Sequence, residues 1–167
     1  IDNRMRLPVE IVRQVREAVG PNFILMYRHS VLDLVEGGNT WAEVVHVAQA
    51  LEVAGVTLFH TGIGWHEART PPIVTPVPRA AFASVAARLK KEVKVPVIAS
   101  NRINMPDDAE ALIASGSVDM VSMARPFFFF SDWVNRVAAG RVDEINTCIG
   151  CNHACLDHTF ANKRASC

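Results

Sequence analysis

The stretch TWAEVVHVAQALEVAGVTLFHTG, Thr40 to Gly62, carries a complete helix-to-strand unit with its own punctuation. Thr40 followed by Glu43 is a capping box, so a helix is predicted from there to Ala54, and Gly55 supplies the residue that ends it. Val56 to Thr61 then reads as a continuous apolar strand. Working outward, Leu7, Ile11, Val12, Val15 and Val19 recur at helical spacing, which predicts a helix over 8–19 stopped by Gly20-Pro21. Phe23 to Tyr27 is a short apolar run and the first expected strand. Downstream, a helix is expected over Ala80–Glu92 and a strand over Val95–Ser100 with Pro96 at its tolerant start. Pro106 opens a helix that Gly116 closes, a strand follows over Asp119–Ala124, and a last helix lies near Ser131–Ala139. The order is one helix followed by four βα units. Strands without polar alternation are covered on both faces, as in parallel α/β folds. An open doubly wound sheet and half of a (β/α)8 barrel both fit this pattern.

The 167 residues are half apolar, enough to bury one core, and 17 basic residues balance 17 acidic ones. That balance gives no field to draw the chain onto nucleic acid or an anionic membrane. No stretch approaches the roughly 18 apolar residues of a membrane span. All four cysteines lie at or beyond Cys148, a crowding that suits metal ligation in a reducing, cytoplasmic setting better than a disulfide framework. The chain opens on Ile1 in a segment already heading into a helix and is read as a fragment.

Chemistry in either architecture collects where strands give way to loops. Arg28 follows the first expected strand, Gly62 and His66 the second, Asn101 and Arg102 the third, and Arg125 the fourth. Three arginines at equivalent exits of a neutral chain point to an anionic, phosphorylated ligand on one face. The loop Gly62-Ile63-Gly64-Trp65-His66-Glu67-Ala68-Arg69 joins glycines that admit a ligand to the backbone with a histidine able to donate a proton. His29, His46 and His60 are expected to be packing or surface residues, and the run Phe127–Phe130 core filling. The spacing C-x2-C-x3-C-x11-C, formed by Cys148, Cys151, Cys155 and Cys167, suits a [4Fe–4S] cluster. Structural zinc is the alternative, with His153 and His158 as substitute ligands.

The segments Met26-Tyr27-Arg28, Thr61 to Arg69, Ser100-Asn101-Arg102-Ile103-Asn104, Ser122 to Phe127 and Asn146 to Asn152 together resemble the 2,4-dienoyl-CoA reductase branch of the old yellow enzyme-related flavoproteins. This resemblance covers essentially the whole chain. It implies the C-terminal half of a (β/α)8 TIM barrel, its last four βα units over residues 1–140, followed by an iron–sulfur segment over 141–167. The N-terminal half-barrel and the C-terminal FAD/NADPH domains would be missing. The implied activity is an NADPH-dependent oxidoreductase in which electrons pass from NADPH through FAD and the 4Fe-4S cluster to FMN, and from FMN as hydride to a 2,4-dienoyl-CoA. The implied sites are Arg28, Arg102, Ala124 and Arg125 for FMN, His66 for catalysis, Glu67, Ala68, Arg69 and Thr70 for substrate, and the four cysteines for the cluster. Two other readings stay open: an enoate reductase or amine dehydrogenase of the same branch, and a non-catalytic, zinc-stabilised α/β binding domain.

Overall fold

The computed structural model describes residues 1–65, 68–69 and 71–167. Helix α1 spans Asp2–Val19, strand β1 Met26–Leu32, α2 Trp41–Ala54, β2 Leu58–Ile63, α3 Ala83–Lys90, β3 Val97–Ala99, α4 Pro106–Ala114 and β4 Met120–Val121. Two short helices, α5 at Arg125–Phe129 and α6 at Trp133–Ala138, follow. The cysteine segment adds a 3-10 turn at Val142–Glu144, a π-helical turn at His153–Asp157 and one last helical turn, α7, at His158–Phe160.

The four strands are all parallel and lie in the order β1-β2-β3-β4. That monotonic order separates the two architectures left open by periodicity. A doubly wound sheet reverses direction at a switch point, whereas consecutive strands laid side by side make an arc of a barrel. The chain is therefore a partial α/β barrel segment.

Local signals act where they are expected. The Glu43 amide donates to Thr40 Oγ1 at 3.3 Å and the Thr40 amide to Glu43 Oε2 at 2.9 Å. At the other end of α2, Gly55 takes the left-handed conformation, φ 116°. A side chain there would collide with Arg16, whose Cγ lies 2.7 Å from the Cβ position. Arg16 uses that space to donate twice to the Gly55 carbonyl, at 3.0 and 2.7 Å, which locks α1 to the end of α2.

Several boundaries differ from expectation for tertiary reasons. Helix α1 starts six residues earlier than predicted, running through Pro8, because its first turn is tied to α2: His46 Nε2 meets Asp2 at 2.9 Å, and Arg4 donates to Glu43 and Asn39. The first strand is not Phe23–Tyr27 but Met26–Leu32; Phe23 and Ile24 remain exposed, and β1 begins where its partner Leu58 begins. Arg28 consequently lies within the strand, paired with His60, and not after it. The phenylalanine run is not core filling: Phe127 and Phe128 are 38% and 68% exposed, Phe127 edges onto Trp133, and Phe130 sits under the Arg136 guanidinium.

The core lies between the sheet and helices α1 to α4. Val12, Val44, Ala48, Leu51, Phe59, Ala86, Leu89, Val97 and Ala99 are among its buried members. Alternation along β1 and β2 sends Tyr27, His29 and Phe59 into this layer, where their rings meet at 6.2 to 6.5 Å. The intervening residues, Arg28 and His60, take the opposite face. Among the described residues no helix is long and apolar enough to cross a membrane.

Candidate active site

The face opposite the helices holds the polar chemistry. Arg28 and His60 are register partners on β1 and β2. Arg28 lies over Gly62, its Nε 3.7 Å from where a Cβ would stand. Arg28 and His60 from within β1 and β2, with Asn101, Arg102, Ser122, Ala124 and Arg125 from the exits of β3 and β4, line a cavity of ≈ 270 Å³. The three arginines expected from the sequence thus converge, and Ala124 joins them.

Arg102 is the most constrained of the three. Asn101 and Arg102 both have positive φ, 69° and 60°, a conformation that costs a non-glycine residue about 1–3 kcal/mol. The Ser100 hydroxyl, bonded to the Thr61 carbonyl and to Asn101 Oδ1, and the Ala80 amide, bonded to the Arg102 carbonyl at 2.9 Å, hold the turn. The Arg102 side chain is buried, its Nε donating to the Val77 carbonyl at 2.8 Å, while Nη1 is buried with no acceptor among the described residues. A buried guanidinium with an unspent donor beside two other arginines fits an anion such as the phosphate of FMN. Arg125 reaches the Ile73 carbonyl at 3.4 Å and, with no other hydrogen bond among the described residues, is placed to serve the same group.

His60 is a residue that sequence reasoning missed. Its Nε2 meets Ser122 Oγ at 2.7 Å, Nδ1 has no hydrogen-bond partner among the described residues, and burial, with the Arg28 cation second, lowers its pKa below the ordinary 6.5. The signal was available: His60 is two residues from Gly62 on one strand, hence on the same face. His29, by contrast, is structural as expected, bonded to the Val44 carbonyl at 3.0 Å.

The loop after β2 is only partly described. His66, Glu67 and Thr70 lie outside the described residues. Ala68 is buried, Arg69 is exposed, and the Ala68 amide donates to the Trp65 carbonyl at 3.0 Å. Trp65 and Arg28 both border a second cavity of ≈ 410 Å³ between β1, α1 and α2.

The cysteine segment folds back onto the site. Thr75 Oγ1 donates to the Ile149 carbonyl at 3.0 Å, Asn152 to the Ile73 carbonyl at 2.9 Å and Asn104 to the Cys148 carbonyl at 2.6 Å. Gly150 passes so close that a Cβ would stand 3.1 Å from Arg102 Nη1. The thiols themselves do not converge as expected. All four are free, Cys151 and Cys167 are exposed, and among the described residues no three His, Cys, Asp or Glu side chains form a metal-ready group. Backbone contacts anchor residues 148–152, while Cys155 rides on the π-helical turn and Cys167 on an exposed tail.

Comparison with known proteins agrees with this geometry. The family model of the NADH:flavin oxidoreductase / NADH oxidase family matches residues 1–144. A metal reductase of Desulforamulus reducens is 41% identical over 98% of the chain, and an NADH oxidase of Thermoanaerobacter brockii 37% identical over 99%. The structure of 2-naphthoyl-CoA reductase with 2-naphthoyl-CoA superposes with a TM-score of 0.94 at 34% identity, covering 99% of this chain. In each case the chain spans about a quarter of the other protein's length, 25%, 26% and 25% respectively. The consecutive parallel strands, the arginine-lined cavity and the match over residues 1–144 lead to one conclusion: the chain belongs to the NADH:flavin oxidoreductase / NADH oxidase family.

Proposed function

We propose that the chain forms the flavin- and substrate-binding half of a reductase of electron-poor carbon–carbon double bonds, acting on α,β-unsaturated acids or their thioesters. The observation that carries this reading is the convergence of Arg28, Arg102 and Arg125 on one cavity, with an unspent buried donor on Arg102. FMN, when bound, supplies hydride to the substrate double bond. Arg102, Arg125 and the Ala124 backbone would hold its phosphate end, and Arg28 would offset the negative charge gained by the ring on reduction. His66 would polarise the substrate carbonyl or assist protonation, and Glu67, Ala68, Arg69 and Thr70 would line the substrate pocket. Neutral His60, fixed by Ser122, keeps a second cation away from Arg28.

A neighbour that binds 2-naphthoyl-CoA supports an acyl thioester. Relatives named metal reductase and NADH oxidase support a wider range of acceptors. The enoate-reductase reading therefore stands ahead of the narrower 2,4-dienoyl-CoA one. Residues 1–140 would complete a barrel with an upstream half, and NADPH would be oxidised on FAD-bearing domains elsewhere. Binding of a [4Fe–4S] cluster by Cys148, Cys151, Cys155 and Cys167 rests on their spacing alone; the thiols as placed do not yet form a site, and no step is drawn through them.

The test is reoxidation of the reduced holoenzyme. Under anaerobic conditions a 2-enoic acid, its CoA thioester and a 2,4-dienoyl-CoA are each added, and flavin absorbance is followed. Rapid return of the oxidised band with the acid or thioester supports the reading. Failure of all three substrates overturns it.

A further inference from the structure

Asp33 lies immediately after β1 and is 3% exposed, a carboxylate removed from solvent. Such a group needs partners, and it has four: the Asn39 amide at 2.7 Å, Asn39 Nδ2 at 2.8 Å, Ser30 Oγ at 2.8 Å and Trp65 Nε1 at 2.8 Å. Three of these come from its own neighbourhood and close the β1–α2 loop. The fourth comes from the exit of β2, 32 residues away.

The surroundings are shaped around that bond. Gly38 sits where a Cβ would fall 2.8 Å from the Asp33 Cβ, so no larger residue fits beside the carboxylate. On the other side the Gly64 amide donates to the Leu32 carbonyl at 2.6 Å, and Gly64 turns the chain with φ 70°, packed on Pro72. Two adjacent links, Gly64 to Leu32 and Trp65 to Asp33, therefore clamp the start of the β2 exit loop to the end of β1. Trp65 is 53% exposed although its N–H is tied down. An indole whose polar end is fixed and whose ring is free presents a rigid apolar wall at little entropic cost. That ring borders the ≈ 410 Å³ cavity, which it shares with Arg28.

From this arrangement we infer that Asp33 is a positioning residue, whose carboxylate holds Trp65 beside Arg28 and sets the start of the loop carrying His66. The inference deepens, and rests on, the reading of that loop as the substrate-binding loop. Asp33 itself touches no reacting atom and acts through Trp65. The bond joins a charged acceptor to a neutral donor, a class whose loss shifts the population it holds by roughly ten- to a hundredfold.

The holoenzyme labelled with 5-fluorotryptophan tests this, with the Trp65 signal identified by its loss in Trp65→Phe. Asp33→Asn should move that signal and lower kcat/KM about tenfold, mainly through KM, while flavin content stays unchanged. Trp65→Phe keeps a ring but removes the donor, so it should reproduce the kinetic defect even if the Asp33 variant folds poorly. The double variant should be no worse than either single one. An unmoved fluorine signal in Asp33→Asn, or a wild-type kcat/KM in Trp65→Phe, overturns the inference. If the wild-type protein reduces none of the unsaturated substrates, the functional reading falls separately, and the fluorine signal alone then decides for or against the tether.

Discussion

His60 Nε2 on β2 and Ser122 Oγ at the exit of β4 stand 2.7 Å apart although β3 lies between those strands, so the cavity face of the sheet is bridged across β3. The bridge leaves a desolvated imidazole close to the Arg28 guanidinium, and both effects disfavour its protonation.

This sets a pH dependence of stability. His29 and His60 both have folded pKa values below the ordinary 6.5, chiefly through burial. In the window between those lowered values and 6.5 the unfolded chain binds more protons than the folded one, so stability falls as pH drops through it and is flat above it. Thermal unfolding midpoints should therefore decline below about pH 6.5, well above the range in which the carboxylates titrate. His60→Gln should flatten part of that slope; an unaltered slope in the variant would remove His60 from the effect.

Flavin affinity should depend on Arg102 and Arg125. Replacing either by glutamine removes a charge-assisted contact and should weaken FMN binding roughly ten- to a hundredfold. Arg102→Lys should not rescue, because the bond from Nε to the Val77 carbonyl needs the guanidinium fork. Titration of the apoprotein with FMN, followed by quenching of flavin fluorescence, measures both.

The cysteines should take up iron and sulfide on anaerobic reconstitution, in a site completed only when the exposed Cys151 and Cys167 close on the half-buried Cys148 and Cys155. Replacing Cys155 by serine should abolish most of the uptake. Metal and sulfide analysis decides it, and stoichiometric zinc without iron uptake would identify the site as structural zinc.

His66 should matter to the substrate and not to the pyridine nucleotide. In the full-length parent, His66→Ala is expected to slow reduction of the unsaturated substrate by about 10²- to 10⁴-fold while flavin reduction by NADPH continues. Stopped-flow measurement of the two half-reactions separates them, and an unchanged substrate half-reaction would take His66 out of the chemistry.

Reading the residues in order was enough for everything whose cause lies within one helical turn or one strand. The capping box of Thr40 and Glu43, the stop at Gly55, the opening of α4 at Pro106 and the alternation of helices and strands all depend on neighbours a few residues apart. Arg102 and Arg125 at the exits of β3 and β4 were legible for the same reason, since a strand's end marks the functional face of any parallel α/β fold, whereas Arg28 was expected after a strand and lies inside β1. Strand order and register were not. The apolar run Phe23–Tyr27 has the composition of a strand, yet hydrogen bonding to β2 starts at Met26, because pairing is settled by the partner and not by the run itself. Packing also decided which polar groups share the site. His60 became a cavity residue through Ser122, 62 positions on, and Asp33 a clamp through Trp65, 32 positions on. Local propensity holds no information about contacts of that range; only the closing of four parallel strands into one arc brings them within hydrogen-bonding distance.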